Sequence, residues 1–234
     1  LVNRIRIAVV ELLNRNPAPA ARLVEKIEDT RKLRQELNSV KKLARERAKS
    51  VSIRVPQLKD CKHHLNKKRG TGLDTMIFIT EGQSAAGSIV SCRDVNTQAI
   101  FTLRGKPLNV CDSKRDALYK NVEIYNLMQS LDIEETVDRL RYQKVILATD
   151  ADVDGLHIRN LMITLFMRFF DRVIKEGHLY ILETPLFRVR NKKETHYCYN
   201  EDERVSAIQK CGSNPEITRF KGLGEISPAE FKAF

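Results

Sequence analysis

Two hydrophobic patterns divide the chain. Up to about residue 50, apolar residues recur at helical spacing among many charges. Residues 1–15 read as one helix, ended by the Asn14–Pro19 breaker, and residues 20–49 as a second. In the second, Leu23, Ile27, Leu33, Leu37, Val40 and Leu43 form a narrow apolar stripe on an otherwise charged surface. Thirty residues would reach about 45 Å at ~1.5 Å per residue, which predicts a strut or connector. Residues 51–74 lose the period. They are basic (Lys59, Lys62, Lys67, Lys68, Arg69), end at Gly70-Thr-Gly72, and read as a linker. From residue 75, short apolar runs alternate with amphipathic segments. Strands are expected at 76–80, 98–103, 144–149 and 178–182. Helices are expected at 84–92, twice or three times between 113 and 140, and at 155–176. Strands joined by helical crossovers predict an α/β fold with a parallel sheet covered by helices on both faces.

Charge sharpens this division. Of the formal net charge of +11, residues 1–70 carry +12 and the remainder −1. A basic segment beside a near-neutral domain suits a polyanion, although a solvated helix face has the same composition. No apolar run reaches the ~18–20 residues that span a bilayer, so no membrane partner is expected. The five cysteines form no C-x-x-C pair, and their spacing fits reduced thiols better than a disulfide framework or a zinc site. The chain begins without Met and stops within an incipient helix at Pro228-Ala-Glu-Phe, so it is expected to be part of something longer.

The candidate chemistry lies where two apolar strands end in acids. One runs into Glu81-Gly82, the other into Asp150-Ala-Asp152-Val-Asp154-Gly155. Ligands of open α/β sheets bind at the carboxyl ends of the strands. If these two strands are neighbours, Glu81, Asp150, Asp152 and Asp154 share one edge. Clustered carboxylates repel, and a divalent cation relieves the repulsion. Hard oxygen ligands with room for water favour Mg²⁺, a setting for phosphoryl transfer. Glu81, on its own strand, can be a ligand or a proton donor and acceptor. Three other readings can be tested on the residues alone. An EF-hand would need Glu where Leu161 stands, and a P-loop would need Lys where Ser88 stands. Helix capping accounts for one Asp, with Asp154 the candidate, and not for three at i, i+2, i+4 beside Glu81.

Four segments in order, Glu81-Gly-Gln-Ser-Ala-Ala-Gly-Ser88, Leu103-Arg-Gly-Lys-Pro-Leu-Asn109, Thr149-Asp-Ala-Asp-Val-Asp-Gly-Leu-His-Ile-Arg159 and Arg219-Phe-Lys-Gly-Leu-Gly-Glu225, resemble the TOPRIM region of bacterial type IIA topoisomerase B subunits, those of gyrase and topoisomerase IV. The resemblance implies a TOPRIM (Rossmann-like) domain at 75–234 with the start of a tail region. Before it come the linker at 51–74 and, at 1–50, the end of a transducer domain with its long exit helix. It implies Glu81 as general acid–base and ligand of a first Mg²⁺, Asp150 bridging two metal positions, Asp152 at the second, and Asp154 shaping the site. Lys106, Asn109 and Arg104 fall at DNA-contacting positions, and Lys221 is a further candidate. The implied partners are double-stranded DNA and a tyrosine-bearing A subunit in an A2B2 assembly. ATP would bind only an N-terminal domain outside this chain, and the setting would be the bacterial cytoplasm, on the chromosome. Gln83, Ala86, Arg104 and Leu156 depart from the usual family pattern, while the acids are intact. Two other classes stay open: a self-sufficient TOPRIM primase or nuclease, against which the Leu103–Asn109 segment speaks, and a non-catalytic DNA-binding module.

Overall fold

The computed structural model describes residues 2–51, 55–65, 72–134 and 136–233. They fall into two compact units, Leu1–Val51 and Ser52–Phe234. The first is a pair of helices, α1 (Val2–Arg15) and α2 (Pro17–Val51). The breaker is a single residue, Asn16, and α2 starts three positions earlier than expected. Pro17 and Pro19 fall in its first turn, where a missing N–H costs nothing because those groups have no intrahelical partner. Leu23 and Ile27 of the apolar stripe are exposed, as are Ile5, Val9 and Leu12 of α1. The side chains of Leu33, Leu37, Val40 and Leu43, and the basic residues 67–69, lie outside the described residues.

The second unit is built on a five-stranded sheet of order β1-β3-β2-β4-β5. Its strands are β1 (Leu58–Lys59), β2 (Met76–Glu81), β3 (Gln98–Leu103), β4 (Lys144–Ala148) and β5 (Leu179–Ile181). β2 pairs in parallel with β3 and with β4, with Thr80 opposite both Thr102 and Ala148. β5 extends the parallel order, and β1, inside the segment read as irregular, adds an antiparallel edge. Ile77, Ala99, Ile100, Phe101, Val145 and Leu147 are all but inaccessible. Successive positions are buried along β3 and β4, so both faces of the sheet are covered.

The crossovers are α3 (Gly82–Cys92), α4 (Arg115–Lys120), α5 (Val122–Leu131) and α6 (Val153–Phe169), followed by α7 (Asp171–Lys175). α3 turns Ala85, Ala86 and Ile89 onto Ile100 and Ala148, with Leu223 in the same cluster. Small residues at its inner face let it lie close to the strands that carry the acids. The helix expected at 155–176 is broken at Phe170, whose φ of −140° is not helical. Phe170 is buried with its ring edge-on to Phe166, so aromatic packing in the core fixes the break.

A polar network fastens the β1 segment to the sheet. Asp60 accepts hydrogen bonds from the Tyr142 hydroxyl (2.6 Å) and from Arg141, and His64 Nε2 lies 3.0 Å from the same carboxylate. Burial works to raise the Asp60 pKa, but the Tyr142 and His64 hydrogen bonds and the Arg141 charge prevail and hold it at about 2. This folded value lies below the unfolded one. Its stabilisation is therefore present above about pH 4 and is lost as pH falls from there through 2. Asp60 is a third exposed, and after solvent screening the linked contribution is of order 1 kcal/mol. Asp60→Ala should cost roughly 2 kcal/mol in urea unfolding at pH 7, less than removing one partner of a fully buried pair. The deficit should narrow when the titration is repeated at about pH 3.

Beyond β5 a second, antiparallel sheet of order β7-β6-β8 forms from β6 (Phe187–Arg190), β7 (Thr195–Cys198) and β8 (Glu216–Arg219). Helix α8 (Glu201–Cys211) packs on it through Ala207 and Cys211 against Phe187, Val189 and Cys198. Helix α9 (Pro228–Ala233) is tied back by Glu230, whose carboxylate accepts from Arg188 at 2.6 Å.

Candidate active site

β2 and β4 are neighbours, so their carboxyl ends open on the same edge of the sheet. Glu81 is the last residue of β2 and the cap position of α3, yet its side chain makes no capping hydrogen bond. Gly82 takes φ +74°, a value that L side chains rarely adopt, and turns the chain from strand into helix there. The Glu81 carboxylate is thereby left facing the β4 loop. Burial, then the charges of Asp150 and Asp152, and to a smaller extent Asp154, push its pKa up; a hydrogen bond from the Asp150 backbone partly opposes them. Its Oε2 is buried without a hydrogen-bond partner.

Each Asp of the loop is held differently. Asp150 Oδ1 accepts the Leu223 amide at 2.8 Å. A Cβ on Gly222 would stand 2.9 Å from Asp150 Oδ2, so the backbone of 222–223 forms a close cradle for that carboxylate. Gly222 has an ordinary φ of −138°, so what glycine provides here is room for the Asp150 carboxylate, which a side chain at 222 would push aside. Asp152, not Asp154, caps α6: its Oδ1 accepts the Gly155 amide at 2.8 Å. The third acid of an i, i+2, i+4 run lies inside the helix, so the first residue able to reach the free amides is Asp152. Asp154 is exposed and ion-paired with Lys106 Nζ at 2.8 Å. That hydrogen bond and charge hold the Asp154 carboxyl low, and they raise the Lys106 pKa with a lesser contribution from Glu81.

Among the described residues, the triads of ligating atoms lying within 4.8 Å of one another are elsewhere, so no three of these four acids are drawn that tightly together. Glu81, Asp150 and Asp152 nevertheless form one electrostatic group, with Asp154 diverted to Lys106. The donor set is oxygen only, and the orphaned Glu81 Oε2 faces negative neighbours. That combination fits a hard divalent cation held by Glu81, Asp150 and Asp152.

The other sequence candidates are spread along this edge. Arg104 donates its backbone N–H to Glu123 and, with Lys59, Gly82, Gln83 and Thr102, lines a cleft of about 400 Å³. Asn109 accepts the Cys111 amide at 3.0 Å within its own loop. Lys221 is exposed, and its amide donates to Glu225 at 2.8 Å. His157 is exposed in the first turns of α6. The contact of residues 222–223 with Asp150 and the Lys106–Asp154 pair go beyond the sequence reading. The two glycines around Leu223 are the signal for the first. A turn alone is the competing explanation, and the steric distances decide for close approach. Gly222→Ala should therefore lower any activity that needs Asp150 roughly tenfold or more, since sub-ångström misplacement is costly in a site of this kind. Thermal melting of the variant should be little changed.

Residues 76–184 match the Toprim domain family, and this part of the chain is a Toprim domain. The chain is 57% identical to the B subunit of DNA topoisomerase 4 from Borreliella burgdorferi over 226 residues, which are 97% of this chain and 38% of that protein. It is 35% identical to the B subunit of DNA gyrase from Thermotoga maritima over 228 residues, 94% of this chain and 35% of that one. The crystal structure of a Plasmodium falciparum topoisomerase II DNA-binding, cleavage and re-ligation domain superposes with a TM-score of 0.65 over 78% of this chain and 26% of its own, at 24% identity, and so supports the fold. The chain belongs to the family of type IIA topoisomerase B subunits and spans less than two fifths of the length of these relatives. No described helix is long and apolar enough to cross a membrane.

Proposed function

We infer that the chain supplies the Mg²⁺-dependent half of a DNA cleavage and religation site in an ATP-dependent type IIA topoisomerase of the bacterial cytoplasm. The observation that carries this reading is Glu81, a carboxylate with one buried, unpartnered oxygen beside Asp150 and Asp152. Glu81, Asp150 and Asp152 would hold the cation, one or two ions, which when bound stabilises negative charge on the oxygen that leaves the phosphate. The protein's own part is proton management and positioning. Glu81, with one oxygen free of hydrogen bonds at the end of β2, would give a proton to the departing 3′ oxygen and recover it on resealing. Asp150 is kept in place by the Leu223 amide, and Asp152 by the cap of α6. Lys106 and Arg104, with Asn109 and Lys221 further along, place cationic and polar groups where a DNA backbone would run. The nucleophilic tyrosine would come from an A subunit in an A2B2 assembly, and ATP would act in a domain outside this chain.

The test mixes the chain with a tyrosine-bearing A subunit and supercoiled DNA, with and without Mg²⁺, and traps covalent complexes with denaturant. Protein-linked breaks that need Mg²⁺ and both chains are expected. Breaks without the A subunit would instead mark a self-sufficient Toprim nuclease. Salt-sensitive binding without breaks, indifferent to Mg²⁺ and to the acids, would mark a DNA-binding module.

A further inference from the structure

The small antiparallel sheet brings together ligands that the cysteine spacing along the chain does not reveal. Glu194 lies at the entry to β7, His196 within it and Cys211 at the end of α8; their ligating atoms all fall within 4.8 Å of one another. The parts are held in register. Asn191 Oδ1 accepts the amides of Lys193 and Glu194 at 2.7 and 2.9 Å, closing the β6–β7 turn. Its Nδ2 donates to the Cys211 carbonyl at 2.9 Å, tying that turn to the helix end. His196 Nε2 is buried and makes no hydrogen bond, although Glu194 Oε2 is only 3.1 Å away. The two ligating atoms share no hydrogen bond and are close enough to pair as ions when the imidazole is protonated, so a metal ion bound between them would take the place of that proton. Cys211 is itself buried, and Cys198, two positions along β7 from His196 and on the same face, lines the floor.

The geometry points to a binding site for a borderline transition cation of the Zn²⁺ class, with Glu194, His196 and Cys211 as ligands and water in the fourth position. One sulfur, one imidazole nitrogen and one carboxylate oxygen match the donors such ions take, whereas Mg²⁺ prefers oxygen alone. Tetrahedral bonds of roughly 2.0–2.3 Å put ligand atoms about 3.5 Å apart, between the 3.1 Å that separates Glu194 from His196 and the 4.8 Å within which all three fall. The C-terminus of α8 adds its partial negative charge. Binding releases the Cys211 thiol proton to solvent and leaves the sulfur as thiolate. Because the thiolate and the neutral imidazole are the ligating forms, affinity should rise with pH. The site is separate from the acid edge. The other triad, Asp60, Cys61 and His64, carries no such inference, because Arg141 already occupies its carboxylate and lies 2.6 Å from His64 Nε2.

Co²⁺ is the probe, titrated into the reduced 234-residue chain with excess Mg²⁺ to saturate the carboxylate edge. One equivalent should produce thiolate-to-cobalt charge-transfer absorption that Zn²⁺ displaces. Cys211→Ser should abolish it, and Glu194→Gln should weaken binding at least ~10-fold. Asp150→Asn and Cys61→Ser should leave it unchanged. No charge-transfer band in the unsubstituted chain, a band that survives Cys211→Ser, or one lost in Cys61→Ser would overturn the site. If Cys211→Ser does not fold, the exposed Glu194→Gln variant decides, and unaltered affinity there overturns it equally. None of these outcomes depends on DNA cleavage.

Discussion

Glu81→Gln is expected to reduce Mg²⁺-dependent DNA cleavage in the reconstituted enzyme by roughly 10²–10⁴-fold, the usual worth of a positioned acid or base. The amide keeps the shape of the side chain and removes both its proton chemistry and its negative charge. Stability should move the other way. The raised pKa means that ionised Glu81 is disfavoured in the fold, by burial first and by Asp150 and Asp152 next. Its cost appears as pH rises through the unfolded value of 4.5 and is complete above the folded one. In chelator at pH 7 the variant should therefore melt slightly higher than the parent, and at pH 4 the advantage should vanish. Cleavage traps and differential scanning calorimetry on the same preparation read both effects. Undiminished cleavage would remove Glu81 from the chemistry, and a lower melting temperature would mean that its ionised form is stabilised by something other than a cation.

Gly155→Ala should be the most damaging single methyl in the Toprim domain. A Cβ there would lie 2.2 Å from the Asp150 carbonyl oxygen and 2.9 Å from its carbonyl carbon and amide nitrogen. All three are backbone atoms, so no side-chain rotation can make room. Either the first turn of α6 lifts, losing the Asp152 cap to the Gly155 amide, or the loop after β4 moves and carries Asp150 with it. Overpacking that displaces backbone commonly costs about 1–3 kcal/mol, and loss of the cap about 1 more. A loss of about 3 kcal/mol in urea unfolding is expected, with cleavage falling at least as far as in Gly222→Ala. A variant as stable as the parent would show that the loop yields freely.

How much of this is legible in the sequence depends on range. β2 and β4 are runs of four or more apolar residues ending in acids, and both signals are local. Their adjacency is only a condition in the sequence and is a fact of the sheet. The Asp60 network is invisible there: Asp60 and Tyr142 meet across 82 positions, and the segment holding Asp60 and His64 reads as a basic linker. The β6–β8 sheet is hidden for a related reason. Phe187-Arg-Val-Arg190 and Thr195-His-Tyr-Cys198 are four-residue strands, too short for a period to stand out, and are defined by pairing with each other. For the cap of α6 the pattern offers three acids and suggests Asp154, and only the start of the helix shows that Asp152 takes the role.

The cradle around Asp150 has a consequence in time. The amide that holds this carboxylate belongs to a residue 73 positions later. At a translation rate of roughly 5–20 residues per second, a nascent chain would carry its acids for several seconds before Leu223 was made, and longer before it left the ribosome. Through that interval the strands can pair while Asp150 remains untethered. A partly synthesised chain, or one cut short by a premature stop before residue 222, would carry the motif without the geometry. The position of Asp150 on which the proposed cleavage site depends would then be set only once the following segment has folded back.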